Sequence, residues 1–278
     1  RPRRHRDRES FSLSFGILHG REARVNHGLP GGRRVDGKAR RPMLCSALHS
    51  HPYRIGESFM IIVHHQEKSR SQRIVWLLEE LGVAYEIEQY KRDPNTMLAP
   101  DALRKIHPLG KSPVITDGDT VVAESGAIIE YLVEKHGGGR LKPAVDDPNW
   151  LNYQYWLHYA EGSLMPLMVM KLIFSRVPKA PMPFFAKPIA KKISGGLVGG
   201  FVHPRIEEHL RLVESHLASH TWFAGDELTA ADVQMSFPLQ AAGARANLDA
   251  LPHIRDFIQR VEARPAYQRG IERTGPLE

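Results

Sequence analysis

The sequence predicts an α/β domain followed by an all-helical domain, and three observations predict it. Short strand-like runs alternate with helical patterns between residues 60 and 136, a run of three glycines follows at 137–139, and strand signals vanish after residue 148. The first element is the apolar strand 60–63, followed by a polar loop over 64–69. In the next stretch Ile74, Leu78 and Leu81 recur at helical spacing, with Gly82 placed to end the helix. Residues 85–90 alternate as a second strand, and strand–helix–strand implies a parallel pair. A short helix is expected over 98–106. Residues 112–116 and 120–123 flank Asp117-Gly118-Asp119 and read as a hairpin, and a last helix over 125–136 completes the order βαβαββα.

The second half reads as helix throughout. A long helix is expected over 150–175, then a proline-rich connection at 177–188 and the glycine pairs at 195–196 and 199–200. Helical patterns resume at 205–217, 230–244, 254–263 and 267–272. The expected domains are therefore 60–137 and 147–278. Thr229 and Asp232 fit a capping box in which Asp replaces the usual Glu or Gln.

Charge is unevenly placed along the 278 residues. Residues 1–59 carry 13 Lys and Arg against 5 Asp and Glu, while residues 60–278 carry 25 against 26. The net charge of +7 thus comes from the first 59 residues, and nothing in the remainder forms a basic stripe interleaved with aromatics, so no nucleic-acid partner is expected. Residues 1–59 are rich in Arg, Gly, Pro and His without sustained periodicity and are expected to be a disordered, dispensable leader, with Met60 as the natural start. The strongly apolar stretch 164–170 contains Pro166 and stops at Lys171, far short of the roughly 20 residues that span a bilayer, so no membrane partner is expected. The single cysteine, Cys45, lies in the leader. Residues 60–278 therefore offer no disulfide, no Cys nucleophile and no redox pair, and a cytoplasmic setting fits.

Four segments carry a resemblance: HHQEKSRSQRIVWLLEELG at 64–82, HPLGKSPVI at 107–115, AESGAIIEYL at 123–132 and AGDELTAADV at 224–233. In this order and followed by a helical half, they resemble glutathione transferases, with wording similar to a bacterial serine-type or related subgroup. The resemblance implies a thioredoxin-like first domain that binds reduced glutathione as co-substrate, a small hydrophobic electrophile as second substrate, no metal, and a homodimer. It implies that Pro113 follows a cis bond and that the backbone of Ser112 pairs with the cysteinyl unit of glutathione. Glutathione's γ-glutamyl end bears an ammonium and a carboxylate, so it needs an acid beside an anion-binding helix N-terminus; Glu124 and Ser125 match these positions, and Lys111 matches one near the glycyl carboxylate.

For catalysis the resemblance points to Ser69. A thiol with a pKa near 8.5 reacts as its thiolate, and a hydroxyl at the start of a helix stabilises negative sulfur by hydrogen bonding and by the helix dipole. The competing reading makes Ser69 only the cap of that helix, with Ser71 able to do the same. Trp156 and Tyr159 are candidates for the electrophile pocket or for plain core. The expected activity is conjugation; a glutathione-dependent peroxidase or disulfide reductase, or a non-catalytic glutathione-binding scaffold, stands as the alternative. Other signals are set aside. His64 and His65 are adjacent in or at the end of a strand and point to opposite faces, His216 and His220 lack an HExxH pattern, and GGLVGG at 195–200 follows no strand.

Overall fold

Among the described residues four strands and ten α-helices follow one another as the sequence predicts for the first half and with one rearrangement in the second. The computed structural model describes residues 60–93, 98–243 and 248–276, so the expectations for the leader lie outside the described residues. Strands β1 (Ile61–Gln66), β2 (Tyr85–Tyr90), β3 (Val114–Asp117) and β4 (Thr120–Ala123) form one sheet in the order β2-β1-β3-β4. β1 and β2 are parallel, and β3 is antiparallel to both β1 and β4. Helices α1 (Ser71–Leu81), α2 (Asp101–Ile106) and α3 (Ser125–His136) complete the thioredoxin-like half. Gly82 ends α1 in the left-handed region at φ +64°, where a Cβ would be strained. The β3–β4 hairpin is pinned to α3 by the buried Asp117 carboxylate, which accepts from Tyr131, Lys135 and His136 at 2.8, 2.9 and 3.0 Å.

β1 runs three residues further than the polar composition of 64–66 suggests. His64, His65 and Gln66 are all buried, and the two histidines find partners on different neighbours. His64 Nδ1 meets the Tyr90 hydroxyl on β2 at 3.0 Å, while His65 Nδ1 meets the Ser71 hydroxyl on α1 at 2.8 Å. A partner for one nitrogen of each histidine lets the strand continue inward where composition alone reads as loop, while His65 Nε2 and Gln66 Nε2 are left without one.

The helical half comprises α4 (Trp150–Tyr159), α5 (Met165–Arg176), α6 (Ala186–Leu197), α7 (His203–Leu217), α8 (Ala230–Gly243), α9 (Pro252–Glu262) and α10 (Pro265–Thr274). The long helix expected over 150–175 is divided by a π-helical segment, Ala160–Leu164, and a second one, Val198–Val202, joins α6 to α7. Both end two residues before a proline, Pro166 and Pro204, whose position i−4 is a glycine, Gly162 or Gly200. A proline ring clashes with the carbonyl four residues back and removes one hydrogen bond, and a widened turn accommodates both demands. The glycine pairs therefore lie inside a helix rather than between helices, which corrects the expected break. At the start of α8 the capping box is one-sided. Asp232 accepts from the Thr229 N–H at 2.8 Å and its hydroxyl at 2.9 Å, and also takes the Phe223 N–H at 2.8 Å.

The described residues form one packed unit. Its core runs through both halves, joining Ile74, Trp76 and Leu78 of α1 to Phe223, Val233, Leu239 and Phe257. α10 returns to α1: Gln72 Nε2 donates to Gly275 O at 2.7 Å, and Arg269 pairs with Glu79. α1 is thus held on both sides, which fixes the loop that precedes it.

Candidate functional site

The loop from Glu67 to Arg70 carries Ser69 from the end of β1 to the start of α1. Lys68 adopts φ +52° there, and Glu124, immediately before α3, adopts φ +71°. Non-glycine residues held in the left-handed region cost about 1–3 kcal/mol each and gather where surrounding structure imposes them, commonly at ligand sites. Glu124 is exposed and opens the N-terminus of α3, while Ser125 behind it is buried. The Ser112–Pro113 bond is cis. Lys111 is exposed next to it.

Ser69 is buried and stands in a chain of hydrogen bonds. Its Oγ lies 3.3 Å from Ser112 Oγ and 2.7 Å from Ser71 Oγ, and Ser71 in turn lies 2.8 Å from His65 Nδ1. The Ser112 hydroxyl donates to His64 O at 2.9 Å. A hydroxyl has one proton to give. With that of Ser112 spent on His64 O, the Ser69–Ser112 contact is donated by Ser69, and the His65 tautomer sets the direction of the Ser69–Ser71–His65 links. His65 Nε2 has no hydrogen-bond partner of normal geometry, with the Thr274 backbone carbonyl nearby. Burial lowers the His65 pKa, which keeps the ring neutral. The weakest link is the 3.3 Å bond from Ser69, so its proton is the one free to turn toward a stronger acceptor. As a helix cap Ser69 is poor: Arg70 occupies the N-cap position, no side chain caps α1, and only the Ser71 N–H approaches Ser69 Oγ, at 3.4 Å.

Arg73, one turn into α1, was not singled out by sequence. It is fully buried and donates to Ser125 Oγ at 2.7 Å, to Gln234 O at 2.7 Å, and to Glu161 in the π-helical segment. Arg70 also pairs with Glu161 at 2.9 Å. Burial lowers the Arg73 pKa to about 10, against the pull of Glu161, and the group stays charged at neutral pH. Burial pushes the Glu161 carboxyl up, but the charges and hydrogen bonds of Arg73 and Arg70 outweigh it and hold the pKa below the usual range. A charged residue in a helical face with no obvious partner within four positions was the only available signal; its partner lies 88 residues away.

An open cleft of about 1690 Å³ lies beside the loop that carries Ser69, with the neighbouring Glu67, Lys68 and Arg70 on one wall and Met165, Met168, Val169 and Leu172 of α5 and Phe237 of α8 on the other; Ser69 itself, Ser112, Glu124 and Ser125 are not among its lining residues. Trp156 and Tyr159 are not among its lining residues. They are 3% and 6% exposed and pack with Phe223 and His216 in an aromatic cluster, Trp156 4.8 Å from Phe223 and 4.7 Å from His216 between ring centroids. Of the two readings of this pair, pocket or plain core, the burial and the aromatic contacts are those of core residues. The π-helical segment, invisible to a 3.6-residue pattern, separates them from α5, which faces the cleft. Tyr159→Phe removes only the hydrogen bond to His209. It is expected to cost about 0.5–1.5 kcal/mol in urea unfolding and to leave KM for any electrophile unchanged; a raised KM with unchanged stability would return Tyr159 to the pocket.

Comparisons with known proteins place the chain in a family. Residues 69–135 match the glutathione S-transferase N-terminal domain, and residues 202–265 match the C-terminal domain. Glutathione S-transferase 3 of Schizosaccharomyces pombe is 39% identical over 217 residues, covering 77% of this chain and 88% of that protein. The chain belongs to the glutathione S-transferase family. Glutathione S-transferase 1 of Saccharomyces cerevisiae is 33% identical over 78% of this chain and 97% of its own length. A glutathione S-transferase crystal structure from Actinobacillus pleuropneumoniae has a TM-score of 0.64 at 34% identity, covering 77% of this chain and 93% of that one. The chain is a glutathione transferase with a thioredoxin-like first domain and a helical second one. Among the described residues no helix is long and apolar enough to cross a membrane, and no group of acidic residues, His or Cys is placed to hold a metal ion.

Proposed function

We propose that this glutathione transferase activates the thiol of reduced glutathione through Ser69 and adds the thiolate to a small hydrophobic electrophile. The observation that carries this reading is the 3.3 Å approach of Ser69 Oγ to Ser112 Oγ: the candidate thiol donor stands against the strand edge assigned to the cysteinyl unit. In the reaction, the bound thiol loses its proton to solvent, the Ser69 hydroxyl donates to the sulfur, and the thiolate attacks an electrophilic carbon resting on the α5 wall of the cleft, expelling halide to solvent or opening an epoxide whose oxygen takes a proton from water. Glu124 takes the γ-glutamyl ammonium, Ser125 and the N-terminus of α3 its carboxylate, and Lys111 the glycyl carboxylate. Residues 60–137 serve as the glutathione-binding domain and 147–278 as the helical domain of a serine-type enzyme. Glutathione-bound structures of the same fold support the co-substrate, among them a sphingomonad glutathione S-transferase complexed with glutathione at a TM-score of 0.59 and 18% identity.

We also infer a homodimer in the cytoplasm with a detoxifying role. Leu151 and Tyr155, one turn apart on α4 and 71% and 51% exposed, support pairing with a second copy. The deciding experiment is a screen of the full chain against chlorinated aromatics, alkyl halides, epoxides, hydroperoxides and glutathione mixed disulfides, with and without glutathione. Turnover confined to the first three groups is expected. Turnover confined to hydroperoxides or disulfides would replace conjugation by peroxidase or reductase chemistry, and glutathione binding without any turnover would leave a scaffold.

A further inference from the structure

α6 has the pattern of a packed helix, yet only Ser194 in it is buried. It rests on the small residues Ala186, Ala190 and Ser194, spaced four apart. On an adjoining face Phe185, Ile189, Ile193, Leu197 and Phe201 also recur every four residues, running from just before α6 into the π-helical segment. All five are between 42% and 65% exposed, and Phe184 beside them is 85% exposed. Scattered exposed apolar residues need no explanation, but a row of five at this spacing does.

The charge around this row is equally one-sided. Between Glu161 and Glu207 there are seven Lys and Arg and no acidic residue, whereas the other residues from 60 to 278 carry 18 basic and 26 acidic groups. The helix-tip region is therefore a basic, apolar patch on an otherwise acidic body. Lys187, Lys191 and Lys192 lie on the same turns of α6 as the exposed isoleucines. A basic amphipathic helix whose apolar row faces outward matches the chemistry of an anionic lipid surface: apolar side chains enter the boundary between headgroups and acyl chains while lysines stay at headgroup level.

We propose that α6 and its flanking turns dock this protein peripherally on an anionic bilayer. Other occupants fit less well. A second copy would set lysines against lysines, the leader carries a charge of +8 of the same sign, and a nucleic acid leaves the apolar row without purpose. Peripheral docking needs no spanning helix. Where it rests on the proposed function, it adds a consequence: α5 runs from the cleft wall at Met168 and Leu172 to exposed Ile173, with exposed Val177 just past its end, so docking would open the cleft toward a phase in which hydrophobic electrophiles dissolve.

The test is sedimentation of the full chain with vesicles of phosphatidylcholine alone and with about one-third phosphatidylserine. Binding to the anionic vesicles is expected, falling with added salt. Ile189→Ser with Ile193→Ser should weaken it at least about tenfold with no change in charge. Lys187→Gln, Lys191→Gln and Lys192→Gln together should weaken it about a hundredfold, at about 1 kcal/mol per lysine. Melting temperature and glutathione turnover in vesicle-free buffer should match wild type for both variants, because every substituted residue is exposed and outside the site. Three outcomes overturn the proposal: no binding to either vesicle, binding that neither variant alters, which assigns it to the leader, and a change of oligomeric state in vesicle-free buffer, which assigns the row to a second copy. Loss of turnover in wild type would strike the proposed function without touching the docking result.

Discussion

Ser69→Ala is expected to lower the fraction of bound glutathione held as thiolate roughly tenfold to hundredfold at fixed pH, and to slow turnover by the same factor. A hydrogen bond to a charged acceptor contributes about 1.5–3 kcal/mol, and each 1.36 kcal/mol is tenfold in the ionisation constant. The hydroxyl is well prepared for the task. Its resting bond to Ser112 is long at 3.3 Å, so its proton is weakly held there. Glutathione affinity should change little, because the residues assigned to its two ends are untouched. Loss of a helix cap would produce the opposite pattern, costing about 1 kcal/mol of stability with the thiolate pKa unmoved. Ultraviolet titration of enzyme-bound thiolate, run beside melting curves, separates the two. An unchanged pKa with unchanged turnover would remove Ser69 from the mechanism and shift attention to Ser71 or to the backbone N–H groups at the start of α1.

Glu161→Ala is expected to cost about 3–5 kcal/mol of stability, more than Arg73→Met, and the inequality is the sharper part of the prediction. Removing Glu161 leaves the fully buried Arg73 guanidinium without its counter-ion, the costliest way to break a buried pair. Replacing Arg73 by Met leaves Glu161, which is 31% exposed and still paired with Arg70, so less charge is stranded. Met also fills the volume with an apolar stem, although Ser125 and Gln234 O lose a donor and glutathione affinity should fall with them.

The pH dependence follows from the lowered Glu161 pKa. A carboxyl more acidic in the folded than in the unfolded state contributes stability that is complete above the unfolded value, about 4.3, and is lost as pH falls through the folded one. The gap between wild type and Glu161→Ala should therefore narrow below about pH 5, as protonation removes from wild type what the substitution removes from the variant. Urea midpoints at neutral pH and in that acid range measure both effects. Equal costs for the two variants, or a gap independent of pH, would show that the network contributes packing rather than charge pairing.

The order of elements in the first half, the αL glycine after α1, the hairpin at Asp117-Gly118 and the helical character of the second half were all legible in the sequence, because each depends on local periodicity and turn chemistry. The four family segments likewise placed Ser69, Ser112, Pro113, Glu124 and Ser125 by position. Tertiary contacts decided the rest. The inward continuation of β1 through two histidines depends on Tyr90 and Ser71, partners 26 and 6 residues away that periodicity cannot supply. The two π-helical turns arise from a proline acting on the carbonyl of a glycine four residues back, and the first of them decides that Met168 and Leu172 face the cleft while Trp156 and Tyr159 face the core. A pattern with a 3.6-residue period marks which residues are apolar, but the extra residue in a widened turn rotates everything after it. Only the packed chain fixes which apolar face meets the core, which meets the cleft and which, as on α6, meets solvent.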